Sequence, residues 1–248
     1  MKTIIKKTRE LGTSAGVILP KAWLNKKVAV VLEEKNEEII LKEVIEILIK
    51  KGLIKDVKGV YLIGSYARGD FDFNSDIDVL VITNNISKII NYEDYEIVLI
   101  NEKDFARNLE SNLYRLVSVN EARTLINKEL ILKYKHVKPR ININKFVNNV
   151  KRVIKINKGF LDDLSGNEKV PDAIVYSVVL RLREIYFLRC LLNNNKISKK
   201  AFLKFTGTKA YEAYTRVKRN EKEIKDLTLN EALNLCKLAE KWLREIRN

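Results

Sequence analysis

Residues 58–82 read KGVYLIGSYARGDFDFNSDIDVLVI, and the fold turns on this stretch. Gly59 to Ile63 is a short apolar run that stops at Gly64-Ser65. Asp76 to Ile82 is a second apolar run, entered through Asp76-Ile77-Asp78. A strand broken by Gly-Ser predicts a strand-to-helix turn. Gly64 lets the backbone approach a ligand closely, and Ser65 is a candidate helix cap. Backbone N–H groups at a helix start attract phosphate. On the second strand, side chains alternate between faces. Asp76 and Asp78 therefore share one face, while Ile77 and Val79 point into a core. Two carboxylates on one face beside a phosphate-binding turn predict a Mg²⁺ site. The chemistry this implies is attack on a nucleotide phosphate, with metal ions stabilising the attacking and leaving oxygens.

The order G-S-Y-A-R-G-D followed by S-D-I-D-V-L-V resembles the signature of the DNA polymerase beta-like nucleotidyltransferases, in particular the small prokaryotic "minimal" ones. The resemblance covers roughly residues 40–105. It implies an α/β nucleotidyltransferase core, a small mixed sheet with helices. It also implies transfer of a nucleoside monophosphate from an NTP to an acceptor hydroxyl, with pyrophosphate released. On that basis Gly64, Ser65 and Arg68 hold the nucleotide, and Asp76 and Asp78 bind two Mg²⁺. Arg68 is placed to reach either a phosphate or a neighbouring carboxylate, and a structural salt bridge is the favoured role. In the family a third carboxylate, usually Asp, follows on the next strand. Here the strand YEIVLI (95–100) holds Glu96 at the matching position. Glu is one methylene longer, which shifts a metal or a base by an amount that catalytic geometry feels. As a carboxylate it still serves to bind metal or to accept the proton of the attacking hydroxyl.

Composition bounds the rest. The 248 residues include 47 Lys+Arg and 32 Asp+Glu, a net charge of +15. Residues 1–132 hold 20 of each sign, so the excess lies entirely in residues 133–248, with 27 basic and 12 acidic residues. That asymmetry predicts a polyanionic partner, RNA before others, against the plainer reading of a lysine-rich solvated surface. No apolar run is long enough to span a bilayer, and the opening MKTIIKKTRELG is not of signal-peptide type. A cytoplasmic protein with no membrane partner is expected. Cys190 and Cys236 belong to no metal or redox spacing and read as buried free thiols. His136 is the only histidine and reads as a linker residue.

Residues 3–33 read as short strands, Thr3–Lys6, Ser14–Leu19 and Val28–Leu32, punctuated by Gly12-Thr13 and Pro20-Lys21. The segment LGTSAGVILPKAWLNKKVAVVLEE is similar to AbrB-like swapped-hairpin modules, following their G-x-S-x-x-V-x-L-P-K-x-W pattern. That resemblance implies a homodimer formed through residues 1–38, and DNA binding by the same module. Residues 39–135 read as the nucleotidyltransferase domain, with helices at 40–56 and 105–135. A polar linker containing Pro139 leads to a basic all-α domain at 140–248, where Thr228 and Glu231 form a capping box. Within it, Tyr211, Tyr214, Arg216, Lys218 and Arg219 interleave rings and cations. This is a candidate nucleic-acid contact, against the favoured alternative of a helix with buried tyrosines. The expected acceptor is an RNA end or a protein. Alternative readings are a DNA-binding regulator whose site is degenerate, and an antitoxin-type enzyme that modifies a partner protein.

Overall fold

A computed structural model describes residues 4, 6, 8–31, 35–72, 75–164 and 169–247. The chain divides into two compact units, residues 1–40 and 41–248.

In the first unit, β1 (Arg9–Leu11) pairs antiparallel with β2 (Ser14–Gly16), followed by one 3-10 turn at Lys21–Trp23. The expected strand at Ser14–Leu19 thus ends early. Val28 to Val31 carry no strand, and Thr3, Ile5 and Leu32 lie outside the described residues. The physical reason is exposure. Leu11, Ile18, Leu24, Val28, Val30 and Val31 are all solvent-facing, and a lone two-stranded hairpin is marginal without a buried face.

Helix α1 (Glu37–Lys50) runs from the first unit into the second. There follow β3 (Val57–Leu62), α2 (Gly64–Arg68), β4 (Ile77–Thr83), β5 (Lys88–Tyr92), β6 (Tyr95–Asn101), α3 (Glu102–Arg107), α4 (Leu113–Glu121), β7 (Arg123–Ile126) and α5 (Lys128–Lys135). The helical half comprises α6 (Ile143–Asp162), α7 (Asp172–Leu192), α8 (Lys199–Thr206), α9 (Thr208–Lys218) and α10 (Leu229–Arg247). Asparagines set several of these starts. Asn101, Asn112, Asn127 and Asn142 each accept a backbone N–H three residues on, at α3, α4, α5 and α6.

The sheet has the order β5-β6-β4-β3-β7. β4 and β6 are parallel, and the other pairings are antiparallel, so the sheet is mixed as expected. One face carries Tyr61, Leu80 and Ile82, which pack with Phe105, Leu109, Leu116, Val119, Ile131 and Tyr134 from α3, α4 and α5. The opposite face carries Val60, Val79, Val81 and Ile97, all fully buried. There α1 sends Glu43 to accept the Tyr95 hydroxyl at 2.6 Å. The helical reading of 105–135 is corrected by β7. Residues 123–126 pair with the open edge of β3 instead, with Tyr61 facing Thr124. An edge strand offers unpaired backbone groups that local helix propensity cannot register.

Helix α4 belongs to two cores. Leu116 and Val119 face the sheet, while Leu113 and Val117 join the cluster of α6, α7, α8, α9 and α10. The sheet and the helical half are thereby packed into one unit. Cys190 and Cys236 are free and buried, as expected.

Candidate active site

The site begins where β3 ends. Ile63 is extended and its N–H bonds the Asp78 carbonyl at 2.9 Å, which holds the following turn against β4. Gly64 then adopts φ +70°, a left-handed conformation that glycine accepts readily. A Cβ at this position would overlap the Asp78 carboxylate. Gly64 is therefore required twice over, by backbone conformation and by the close approach of a carboxylate.

The three expected carboxylates converge. Asp78 lies opposite Glu96 in the parallel β4–β6 register. By alternation Asp76, Asp78 and Glu96 share the sheet face of Leu80 and Ile82, with Ile77 and Val79 buried behind. Their environments differ. Asp76 and Glu96 side chains are 36% and 39% exposed. Asp78 is more enclosed, and burial pushes its carboxyl up to about 6, with Glu96 and Asp76 adding to the rise. Lys218 and Arg183 act in the opposite direction.

Cations from the far end of the chain complete the cluster. Lys218, last residue of α9, donates to Asp76 Oδ2 at 3.1 Å, and its Nζ lies 3.8 Å from Glu96 Oε2. Arg219 donates to Asp76 Oδ1 at 3.5 Å. Burial disfavours the charge on Lys218, but Asp76, Asp78 and Glu96 more than offset it and hold the ammonium above its ordinary range.

Behind the turn runs a second chain of charges. Glu121, at the end of α4, accepts the Gly64 N–H at 2.7 Å through Oε1 and Arg68 Nη1 at 2.6 Å through Oε2. Arg68 Nε donates to Asp70 Oδ1 at 3.2 Å, and Asp70 Oδ2 accepts the Lys199 backbone N–H at 2.6 Å. Lys199 Nζ also pairs with Asp72. Arg68 is thus held by two carboxylates, the structural role, rather than free for a phosphate. Ser65 is corrected from cap to first-turn residue. The helix starts at Gly64, whose N–H is taken by Glu121. Sequence reasoning missed Glu121. One signal was present: a carboxylate in the last turn of a helix opposes the helix dipole, so it needs a partner elsewhere.

The segment Tyr211–Arg219 is split by the structure. Arg216 is only 7% exposed and donates to Asp172 Oδ2 at 2.7 Å, to Asp172 Oδ1 at 3.1 Å and to Asp226 Oδ1 at 2.8 Å. Asp172, 1% exposed, also accepts the backbone N–H groups of Ile224 and Lys225. Tyr214 is buried, stacked on Tyr176 with centroids 5.2 Å apart, and its hydroxyl accepts Arg183 Nη1 at 3.0 Å. Neither Tyr214 nor Arg216 has a free face for a base or a phosphate. Tyr211 is half-buried with Lys199 Nζ 5.3 Å over its ring. Only Lys218 and Arg219 of this segment face the carboxylates.

Among the described residues, no group of three or more His, Cys, Asp and Glu is disposed to hold a metal ion, and a lysine ammonium lies between two of the carboxylates instead. No described helix is long and apolar enough to cross a membrane.

No curated protein matches the chain. Among solved structures, it is similar to a spectinomycin adenyltransferase from Enterococcus faecialis, crystallised with ATP and spectinomycin. The two share 12% identity with a TM-score of 0.43, over 83% of this chain and 98% of that one, too distant to speak to this chain's ligands. Residues 41–158, which carry the sheet, the Gly64 turn and the carboxylates Asp76, Asp78 and Glu96, match the family described as the nucleotidyltransferase domain.

Proposed function

We propose that the chain transfers a nucleoside monophosphate from an NTP to an acceptor hydroxyl. The observation that carries this reading is the convergence of Asp76, Asp78 and Glu96 on one sheet face beside the Gly64 turn. As placed, with the Lys218 ammonium between two of them, the carboxylates are not disposed around a metal ion, but their donor chemistry fits a divalent cation once that ammonium gives way. Three carboxylates are gathered, one is enclosed enough for its proton affinity to rise, and Lys218 already stands in as a positive charge. Asp76, Asp78 and Glu96 would hold Mg²⁺, two ions in the fullest form of the proposal. Bound magnesium would neutralise charge on the nucleotide phosphates and on the attacking and leaving oxygens.

The chain's own contributions are positioning and charge. Gly64 brings backbone close to the nucleotide, and the Glu121–Arg68–Asp70 chain fixes that turn. The acceptor oxygen attacks the α-phosphorus, and a new O–P bond forms as the bond to the bridging oxygen breaks. Pyrophosphate leaves with the electron pair. Glu96, exposed and on the same face, takes the acceptor proton. Lys218 and Arg219 supply positive charge at the carboxylates' open side.

The +15 carried by residues 133–248 supports a polyanionic acceptor, an RNA end before a protein. The exposed apolar side chains of residues 11–31 support pairing of the first unit with a second copy. The test incubates the protein with each α-labelled NTP, Mg²⁺ and cell extract, then treats the product with ribonuclease or protease. Wild type labels an acceptor, and Asp76→Asn and Asp78→Asn each abolish labelling. Equal labelling by all three proteins would refute the reading, and protease-sensitive label would move the acceptor from RNA to protein.

A further inference from the structure

The contact between α9 and the carboxylates has a consequence for the order of loading. Lys218 reaches Asp76 at 3.1 Å and Glu96 at 3.8 Å, and Arg219 reaches Asp76 at 3.5 Å. These are the two more exposed of the three carboxylates, the ones an incoming cation meets first. A divalent ion needs their oxygens as ligands. In the chain as it stands those oxygens are already paired with cations the protein supplies itself.

The backbone that presents Lys218 is anchored. Two residues before it, Arg216 is fixed by Asp172 and Asp226, and the N–H groups of Ile224 and Lys225 close on the same Asp172. The helix end is therefore held by buried groups, whereas the lysine side chain is held by part-exposed ion pairs. Lys218 is 40% exposed, on a four-carbon stem with several rotatable bonds. A rotamer change would carry it off the carboxylates without moving α9.

We infer that Lys218 is an internal competitor of the metal, holding Asp76 and Glu96 until a nucleotide arrives, so that metal and nucleotide load together rather than metal first. A triphosphate offers Lys218 and Arg219 a denser negative charge than the carboxylates do, and it brings further oxygen ligands to the cation. With both changes the carboxylates become available only when substrate is present. The inference rests on the nucleotidyltransferase reading and adds to it a residue with a switching role.

The test uses the full chain, Mn²⁺ as the cation, and water proton relaxation enhancement, which reports protein-bound Mn²⁺ independently of turnover. The nucleotide probe is a mixture of the adenosine, guanosine, cytidine and uridine α,β-methylene triphosphates, which resist transfer. Wild type shows little enhancement with Mn²⁺ alone and strong enhancement once the analogues are added. Lys218→Met binds Mn²⁺ without nucleotide up to about fivefold more tightly than wild type, corresponding to the loss of one competing ion pair. Lys218→Arg, which keeps the cation, stays close to wild type. Adding Asp76→Asn to Lys218→Met removes the gained binding. Unchanged thermal unfolding of the Lys218 variants confirms that they are folded. Equal Mn²⁺ affinity of wild type and Lys218→Met without nucleotide overturns the inference, and enhancement of both by the analogues then leaves the nucleotidyltransferase reading standing. No enhancement in either protein with the analogues present overturns both.

Discussion

Two clusters of carboxylates and cations sit within a few residues of each other on α9, and they are built to opposite ends. At Arg216 the groups are saturated. One guanidinium meets two aspartates, and Asp172 also takes two backbone N–H groups, with almost no water access to Arg216 or Asp172. At Lys218 the groups are unbalanced. Three carboxylates face one lysine and one arginine, the contacts run from 3.1 to 3.8 Å, and more than a third of the Lys218, Asp76 and Glu96 side chains meets solvent. A saturated cluster fixes structure, because any displacement strands a buried charge. An unbalanced one leaves room for a ligand to complete it. The two Asp carboxyls register the same contrast. Burial pushes Asp78 up to about 6. Burial also acts to raise Asp172, but its bonds to Arg216 and to backbone N–H groups bring it below the usual range.

The strongest way to break the comparison is to remove the cation from each cluster. Arg216→Met strands Asp172 and should cost about 3–5 kcal/mol of stability in urea unfolding. Lys218→Met removes a half-exposed partner and should change stability by no more than about 1 kcal/mol. Equal losses would mean that both clusters are structural.

Stability against pH gives a second, smaller contrast with opposite signs. The native state binds a proton at Asp78 more tightly than the unfolded chain does, because the folded value of about 6 exceeds the ordinary 3.8. Its contribution therefore falls as pH rises through that window, by at most about 3 kcal/mol. Asp78→Asn should abolish this fall. Asp172 is depressed, so its contribution is present above the unfolded value and is lost as pH drops through its lower folded value. Unfolding followed from pH 3 to pH 8 in wild type, Asp78→Asn and Asp172→Asn separates the two profiles. If the Asp78→Asn profile keeps the wild-type fall, the enclosed carboxyl is not its source.

A stability effect smaller than that of Arg216→Met sharpens the active-site side. Gly64→Ala forces a side chain into a left-handed backbone at about 1–2 kcal/mol. It also sets a methyl against the Asp78 carboxylate. Labelling of the acceptor should drop at least about tenfold, since displacement of a reacting group by a fraction of an ångström is enough. Full activity in this variant would separate the Gly64 turn from the site.

Local signals carried the three central strands well. The apolar runs at 59–63, 76–82 and 95–100 became β3, β4 and β6, and the spacing of Asp76 and Asp78 placed both on one face. The Thr228–Glu231 capping box formed as read, with Thr228 N–H bonding Glu231 Oε2 at 2.8 Å. Two smaller strands escaped. β5 and β7 are sheet edges, and β7 exists because β3 lacked a partner on one side. Of the strands expected from the AbrB-like resemblance, the described residues of the first unit show a short hairpin.

Sequence alone determined the elements whose cause is local: a Gly that must be Gly, carboxylates two apart on an apolar strand, asparagines at helix starts. Tertiary structure decided which charges meet. Glu121 lies 57 residues from the Gly64 amide it holds, and Lys218 lies 142 residues from Asp76. Nothing in the spacing of YEAYTRVKRN distinguishes Arg216 from Lys218. Two positions on a helix are about 200° apart, so Arg216 faces Asp172 and Asp226 while Lys218 faces Asp76 and Glu96. Which face meets which partner is fixed only when α9 packs against α7 and its end reaches the carboxylates of the sheet. The same charge type then becomes a buried anchor at one position and a part-exposed partner of two carboxylates at the other.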